Sequence, residues 1–380
     1  MTKAPIWSII SDRSDKPVFF KKAWFRTSNI AKARIRAWVH SRDVSLIRLR
    51  PGLQNAKHVA VILVYNEARR MPFLLRYYRA MGFEHFVILD NKSTDGLQEQ
   101  LAEEPDVSLF FTKSSYKNAR FGLDWINYLL AKYCAGKWIL HVDADEFLVF
   151  PHCDTQGISG LTSYMEKNQQ VSLQCLMLDM YSDKKIEDNI CAVGEDPASI
   201  CPFFDDTGYV TYYDPMNETF ALKGGVRGRV YFSDNLWKGP ALNKTPLVRW
   251  QPHYAFLKST HELWPTSVNG GAPVPGVPHG VLLHFKFLSD LTEKLAAEAI
   301  RQQHTNEYDA YLQNGSLPDD GPSFMYPQSR KYEGWRSLHA AGLLDGADGL
   351  APEAGPSSGA LQANAPGTRD MANPTAPLRP

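Results

Sequence analysis

No stretch of this chain approaches the run of about 20 apolar residues that a membrane-spanning helix needs. The N-terminus also lacks the short apolar core of a secretion signal. Both absences lead to the expectation of a soluble, cytoplasmic protein. The five cysteines, Cys134, Cys153, Cys175, Cys191 and Cys201, are odd in number and contain no C-x-x-C spacing. That argues against a disulfide framework or a cysteine zinc site and for buried thiols. Net charge is missing too: 41 Lys and Arg face 41 Asp and Glu, so no global field marks a nucleic-acid binder. No G-x-G-x-x-G follows a strand-like run and no Walker lysine motif occurs, which leaves dinucleotide and P-loop phosphate cradles without support. No repeat of a few tens of residues is present.

What the sequence does contain is apolar and aromatic residues, 44% and 12% of its 380 positions, enough for a substantial core. Its charge is uneven. Residues 1–55 form a basic segment whose stretch "KKAWFRTSNIAKARIRAWVHSRDVSLIRLR" places apolar residues along one side of a helix. The ordinary reading of such a run is a solvated face; peripheral contact with a membrane is the alternative. Residues 56–340 read as one domain. Residues 341–380, rich in Ala, Gly, Pro and Ser, read as a disordered tail.

Within the domain, "HVAVILV", "FVILD", "VSLFF" and "WILHV" are short continuous apolar runs, the mark of strands buried on both faces. Between them "EARRMPFLLRYYRAMG" and "ARFGLDWINYLLAKYCAG" space apolar residues by three and four and end in Gly, as amphipathic helices do. The expected fold class is α/β, an open and mostly parallel sheet flanked by helices. From about Gly157 to Phe287 the pattern loosens into a less regular half, in which "VSLQCLML" and "GVLLHFKF" read as strands. A helix is expected near "LTEKLAAEAIRQQHTNEYDAYL".

Three strand ends are polar: "YNE" after the first, "DNKSTD" after the second and "DADE" after the fourth. In open α/β sheets, ligands bind beyond the carboxyl ends of the parallel strands. There Asp90, Asp95, Asp143 and Asp145 would crowd one crevice and repel unless a cation sat among them. Hard oxygen ligands suit Mg²⁺ or Mn²⁺, which keep positions open for phosphate oxygens. The ordinary alternative is a strand-end turn capped by acids. A haloacid-dehalogenase reading of the D-x-D is weakened because Phe147 stands two places after Asp145 and the motif comes late. A calcium-loop reading of "DNKSTDG" fails at Lys92 and Leu101, where an EF-hand needs acids.

"VILVYNEARRMPFLLRYYRAMGFEHFVILDNKSTDG" followed by "WILHVDADEF" resembles glycosyltransferase family 2 and its relatives with the GT-A fold, in the branch carrying a D-x-D-E-F motif. The resemblance covers about the first hundred residues of the α/β region well and is weaker beyond. It implies a metal-dependent transfer, with inversion, from a nucleotide-sugar donor, UDP-linked, to a hydroxyl of a glycan, a lipid-linked or a small acceptor, as in polysaccharide biosynthesis. It implies that Tyr65, Asn66 and Glu67 lie beside the nucleotide base. Asp90 would contact uracil or ribose, with Ser93 and Asp95 completing the turn. Asp143 and Asp145 would bind metal and sugar nucleotide, with Glu146 in support and His284 as a late histidine completing the metal ligands.

Alternation in "GVLLHFKF" places Val281, Leu283, Phe285 and Phe287 on one face and His284 with Lys286 on the other. Arg227, Arg229 and Lys244 are candidates for neutralising the leaving diphosphate. His261 and Glu262 are acceptor-side candidates. Glu262 is favoured slightly over Glu218 and Asp183 as the base that deprotonates the acceptor. The competing class is a non-catalytic nucleotide-sugar or glycan binding module on the same fold.

Overall fold

The computed structural model describes residues 19–214, 219–269, 277–291, 294, 324–346 and 348–350. Nine strands form one sheet: β1 (Ser45–Arg48), β2 (His58–Val64), β3 (His85–Asp90), β4 (Val107–Phe111), β5 (Trp138–His141), β6 (Glu146–Val149), β7 (Ser172–Asp179), β8 (Asn243–Arg249) and β9 (Gly280–His284). Their spatial order is β1-β4-β3-β2-β5-β8-β7-β9-β6. β2, β3, β4 and β5 are mutually parallel, and β7 and β9 run the same way. β1, β8 and β6 oppose them, so the sheet is mixed but mostly parallel.

Among the described residues the helices of six or more residues are α1 (Phe19–His40), α2 (Met71–Met81), α3 (Leu97–Ala102), α4 (Leu123–Tyr133), α5 (Cys153–Lys167), α6 (Gly225–Tyr231) and α7 (Trp335–Ala340). α2 follows β2 and buries Met71, Leu74, Leu75, Tyr78 and Met81, a three- and four-residue spacing that faces the sheet. It stops at Gly82, whose φ of 100° lets the chain turn back and satisfy the last carbonyls, with Phe83 N donating to Tyr78 O at 3.0 Å. α4 follows the other amphipathic pattern and buries Leu123, Trp125, Ile126, Leu129 and Leu130. One apolar cluster joins α2 and α5 to one side of the sheet, and a second joins α4 to the other. Helices on both faces explain why β2 and β3 read as unbroken apolar runs.

Several expectations need correction. β9 does not alternate between a wet and a dry face: all five of its residues are buried, because it lies between β7 and β6 inside the sheet. It also ends at His284, before Phe285 and Phe287. The tail boundary at 341 falls inside packed structure, since Leu343, Leu344 and Leu350 are buried against the main core. The helix expected near "LTEKLAAEAIRQQHTNEYDAYL" lies almost wholly outside the described residues, as do residues 351–380 and Glu218. The basic segment does form a helix: α1 buries Ala33 and Ala37, and Arg36 Nε donates to the fully buried Asp124 of α4 at 3.0 Å. Among the described residues no helix is long and apolar enough to cross a membrane.

Candidate functional site

The carboxyl ends of the parallel strands meet at a cavity of about 990 Å³. β2 delivers Tyr65, Asn66 and Glu67 to its wall, β3 delivers Asn91 and Asp95, and β5 delivers Asp143, Asp145 and Glu146. The connection after β4 adds Tyr116 and Phe121. That connection is conformationally forced. Arg120, Phe121 and Gly122 are three successive residues at positive φ, 52°, 56° and 78°. A Cβ on Gly122 would collide with Leu63, so glycine is required there on two counts.

The first two loops are stitched to each other. Asn66 N donates to Ser93 Oγ at 2.9 Å, Thr94 N donates to Asn66 Oδ1 at 2.8 Å, and Ala68 N donates to Asp95 Oδ2 at 2.8 Å. Asp90 belongs to this scaffold and does not line the cavity. It is fully buried, Ser93 N donates to its Oδ1 at 2.9 Å, and Gln98 Nε2 donates to its Oδ2 at 2.5 Å. The expectation that Asp90 meets uracil or ribose is therefore corrected: both carboxylate oxygens are committed to shaping the turn.

The D-x-D-E turn divides its acids. The Asp143 side chain is 58% exposed and faces Lys244 Nζ at 3.5 Å. Partial desolvation opposes its ionisation, Lys244 favours it, and the net shift is downward. Glu146 is 1% exposed and pairs with Lys244 at 2.5 Å. Burial lifts its carboxyl above the ordinary range in spite of that partner. Lys244 is itself 1% exposed; desolvation disfavours its charge, but Asp143 and Glu146 together hold it above its ordinary value. Lys244 is thus an internal counter-ion beneath the turn and is absent from the cavity wall, which corrects its assignment to the diphosphate.

Asp145 points the other way. Burial opposes its ionisation, but the basic groups His284, Arg70, Lys294 and Lys286 outweigh it and hold the carboxyl well below its usual range. His284 Nε2 stands 3.6 Å from Asp145 Oδ2. Its Nδ1 is 2.6 Å from Asp179 Oδ1, and Arg227 Nε donates to Asp179 Oδ2 at 2.7 Å. A carboxylate behind one ring nitrogen places the proton there and turns the other nitrogen outward, the arrangement common behind metal-binding histidines. Asp145 and His284 therefore fit a hard divalent cation. The full expected set does not assemble: among the described residues no three His, Cys, Asp or Glu side chains come together as a metal site, and Asp143 is drawn to Lys244 instead.

Arg227 and Arg229 are also corrected. Arg227 is buried on Asp179, and Arg229 is held by Asp205 and by Phe324 O at 2.7 Å, so neither reaches the cavity. Sequence reasoning did not assign the cations that do line it, Arg70, Lys286 and Lys294, although it set Lys286 on the same side as His284, which also lines it. Arg70 Nη1 lies 2.8 Å from Glu67 and Nη2 lies 2.7 Å from Asp290; Lys294 reaches the same two acids at 2.6 and 3.4 Å. The only signal for Arg70 was its place three residues after Glu67 at a strand end.

On the other wall, His261 lines the cavity beside Thr260, with Nδ1 2.6 Å from Asn243 O. Burial and the nearby Lys244 push its imidazole down to about 4. A carbonyl partner requires Nδ1–H, which leaves Nε2 as an acceptor. Glu262 does not join it: its side chain turns to Lys258 at 3.7 Å, off the cavity wall, and Asp183 is exposed elsewhere. His141, buried on the wall with Nδ1 2.8 Å from Val61 O, was not anticipated.

No family model matches the sequence, and no curated protein matches it. Among solved structures, the chain is similar to the mannosyltransferase PcManGT from Pyrobaculum calidifontis in complex with GDP-Man and Mn²⁺. The identity is 16% and the TM-score 0.23, over 44% of this chain and 47% of that one. It is also similar to the mannosyltransferase Ktr4p from S. cerevisiae, at 11% identity and a TM-score of 0.22, over 48% and 54% of the two chains. The chain spans about half the length of each of these two structures.

Proposed function

We propose that this chain is a glycosyltransferase of GT-A-like architecture that takes a sugar from a nucleoside-diphosphate donor, UDP-linked, and passes it with inversion to a hydroxyl acceptor. One observation carries the reading: the ends of parallel strands deliver Asp143 and Asp145 to a single cavity of about 990 Å³ whose wall also holds Arg70, Lys286 and Lys294. Acids alone would repel a diphosphate, and bases alone would not recruit a cation. Both together, with Tyr65, Tyr116 and Phe121 offering apolar faces to a base or sugar, suit a nucleotide sugar.

As the sugar–phosphate bond breaks, its electron pair stays on the diphosphate, the acceptor oxygen bonds to the anomeric carbon from the opposite side, and the proton of the acceptor hydroxyl passes to solvent water in the cavity. Arg70, Lys286 and Lys294 line the cavity where that charge develops, Arg70 and Lys294 being held there by the shared carboxylates of Glu67 and Asp290. Asp145 and His284 would hold Mg²⁺ or Mn²⁺, which when bound supplies further neutralisation of the diphosphate. His261, neutral with Nε2 open as an acceptor, orients the incoming hydroxyl; a group pushed down to about 4 is a better orienter than proton acceptor. The stitched loops 65–68 and 91–96 keep the donor side rigid, which favours a preorganised geometry.

The test is a panel of UDP- and GDP-sugars incubated with the protein and Mn²⁺, with release of nucleoside diphosphate measured beside equilibrium binding. Turnover that Asp143→Asn and Asp145→Asn abolish supports the proposal. Binding without turnover points to the non-catalytic module, and absence of binding to every donor sinks the reading.

A further inference from the structure

Ten large hydrophobic side chains are exposed among the described residues, and six of them, Ile35, Trp38, Val39, Leu46, Ile47 and Leu49, fall within fifteen positions. Scattered single exposures are ordinary, but this concentration is not. Three of the six share one face of α1. Ala33 and Ala37 bury the helix against the body, whereas Ile35, Trp38 and Val39, spaced by three and four, lie on the opposite side at 61%, 65% and 47% exposure. The helical period sets Lys32 and Arg34, both exposed, on either side of that apolar stripe. Arg42 continues it, its guanidinium 5.2 Å from the Trp38 ring. Leu46, Ile47 and Leu49 follow on and beside β1, the outermost strand at that end of the sheet.

Charge identifies what this face meets. Residues 16–42 contain eight Lys and Arg and no Asp or Glu, in a chain whose net charge is zero. We propose that the outer face of α1, with the adjoining β1, docks on an anionic lipid surface. A convex helix face with an interfacial tryptophan, aliphatic neighbours and flanking bases matches the chemistry of a helix lying in the headgroup plane. Each basic residue near such a surface adds attraction that salt screens. The hydrogen bond of Arg36 to the buried Asp124 ties α1 to the helix that follows the cavity loop, so docking orients the cavity relative to the bilayer.

The experiment is sedimentation of the full chain with vesicles of phosphatidylcholine alone or mixed with phosphatidylserine, at low and high salt. The wild type is expected to bind the mixed vesicles and to release as salt rises. Ile35→Ser with Trp38→Ser, and separately Lys32→Glu with Arg42→Glu, are each expected to weaken binding about tenfold or more while circular dichroism stays unchanged. Equal binding to both vesicle types, or variants that bind as the wild type does, overturns the proposal. So does a dimer, seen by light scattering, that Ile35→Ser with Trp38→Ser dissociates, because a second copy then covers the face.

Discussion

Replacing Lys244 with methionine keeps the volume of the side chain and removes its charge from between two acids. Glu146, 1% exposed, then loses its paired cation and keeps only the bond it accepts from Asp143 N at 3.0 Å and the more distant favour of His284. Breaking a buried ion pair in this way costs about 3–5 kcal/mol. An exposed pair offers the contrast. Lys57 and Glu166, 48% and 33% exposed at 3.4 Å, should lose only about 0–1 kcal/mol in Lys57→Met. The double variant Lys244→Met with Glu146→Gln removes both charges, so its cost should fall short of the sum of the singles by at least about 1 kcal/mol. The pH dependence has a definite sign. Without Lys244 the folded-state carboxyl of Glu146 rises further above its ordinary 4.5, so the folded state binds a proton more readily than the unfolded one. The deficit of Lys244→Met therefore starts small near pH 4.5 and grows as pH rises through the lifted value. Urea unfolding of the wild type, the three single variants Lys244→Met, Glu146→Gln and Lys57→Met, and the double variant at several pH values measures this. A deficit no larger than that of Lys57→Met, additivity in the double variant, or a deficit that shrinks with rising pH would refute the counter-ion reasoning.

Asp143→Asn changes a side chain that is 58% exposed, so its unfolding midpoint should stay near that of the wild type while sugar transfer falls at least about a hundredfold. Retained transfer would remove Asp143 from the chemistry. Asp179→Asn loosens the hold on His284 Nδ1 and should weaken Mn²⁺ binding about 10- to 100-fold, read by electron paramagnetic resonance titration; unchanged affinity would mean that His284 does not meet the metal. Gly122→Ala forces a Cβ onto Leu63 at positive φ and should cost at least about 1 kcal/mol, with weaker donor binding by calorimetry. Burial pushes the His85 imidazole down to about 4, with Asp106 opposing and Lys137 assisting. The unfolded state then binds the proton better, so stability is lost as pH falls from about 6.5 toward 4, by up to about 3 kcal/mol from this group. His85→Gln should flatten that acid limb in urea titrations.

The parallel half of the fold was legible because its strands are buried on both faces and its helices carry an unmistakable three- and four-residue spacing. β8 was not. Its sequence "NKTPLVR" has a proline in mid-strand, which normally demotes a run to an edge or a loop. Here Pro246 sits where the pairing with β7 shifts register, between Lys244 and Leu247, so a bulge absorbs it inside the sheet. Missing β8 meant missing that Lys244 comes up beneath the acidic turn. In the same way, the crowding of acids near 143–146 was readable, but their division was not. Which acid meets Lys244 and which meets His284 depends on strands a hundred residues away. Asp90 shows the converse error: an acid at a strand end reads as a ligand-binding group, yet Ser93 N of its own turn and the Gln98 side chain claim it first.

The chain order around the acidic turn sets a length problem. β5 ends at His141 and β6 begins at Glu146, but β8, β7 and β9 stand between them in the sheet. Four inter-strand steps in a flat sheet cover about 19 Å, whereas five residues drawn out fully reach only about 18 Å, and this link contains a turn. The sheet has to curl until its margin comes back toward its middle. Once curled, β6 exposes its far side not to a tenth strand but to α2, where Tyr78 Oη donates to Glu146 O and accepts from Leu148 N, and Tyr77 Oη donates to Leu148 O. Val142 to Asp145 therefore act as a chord that holds an arc closed.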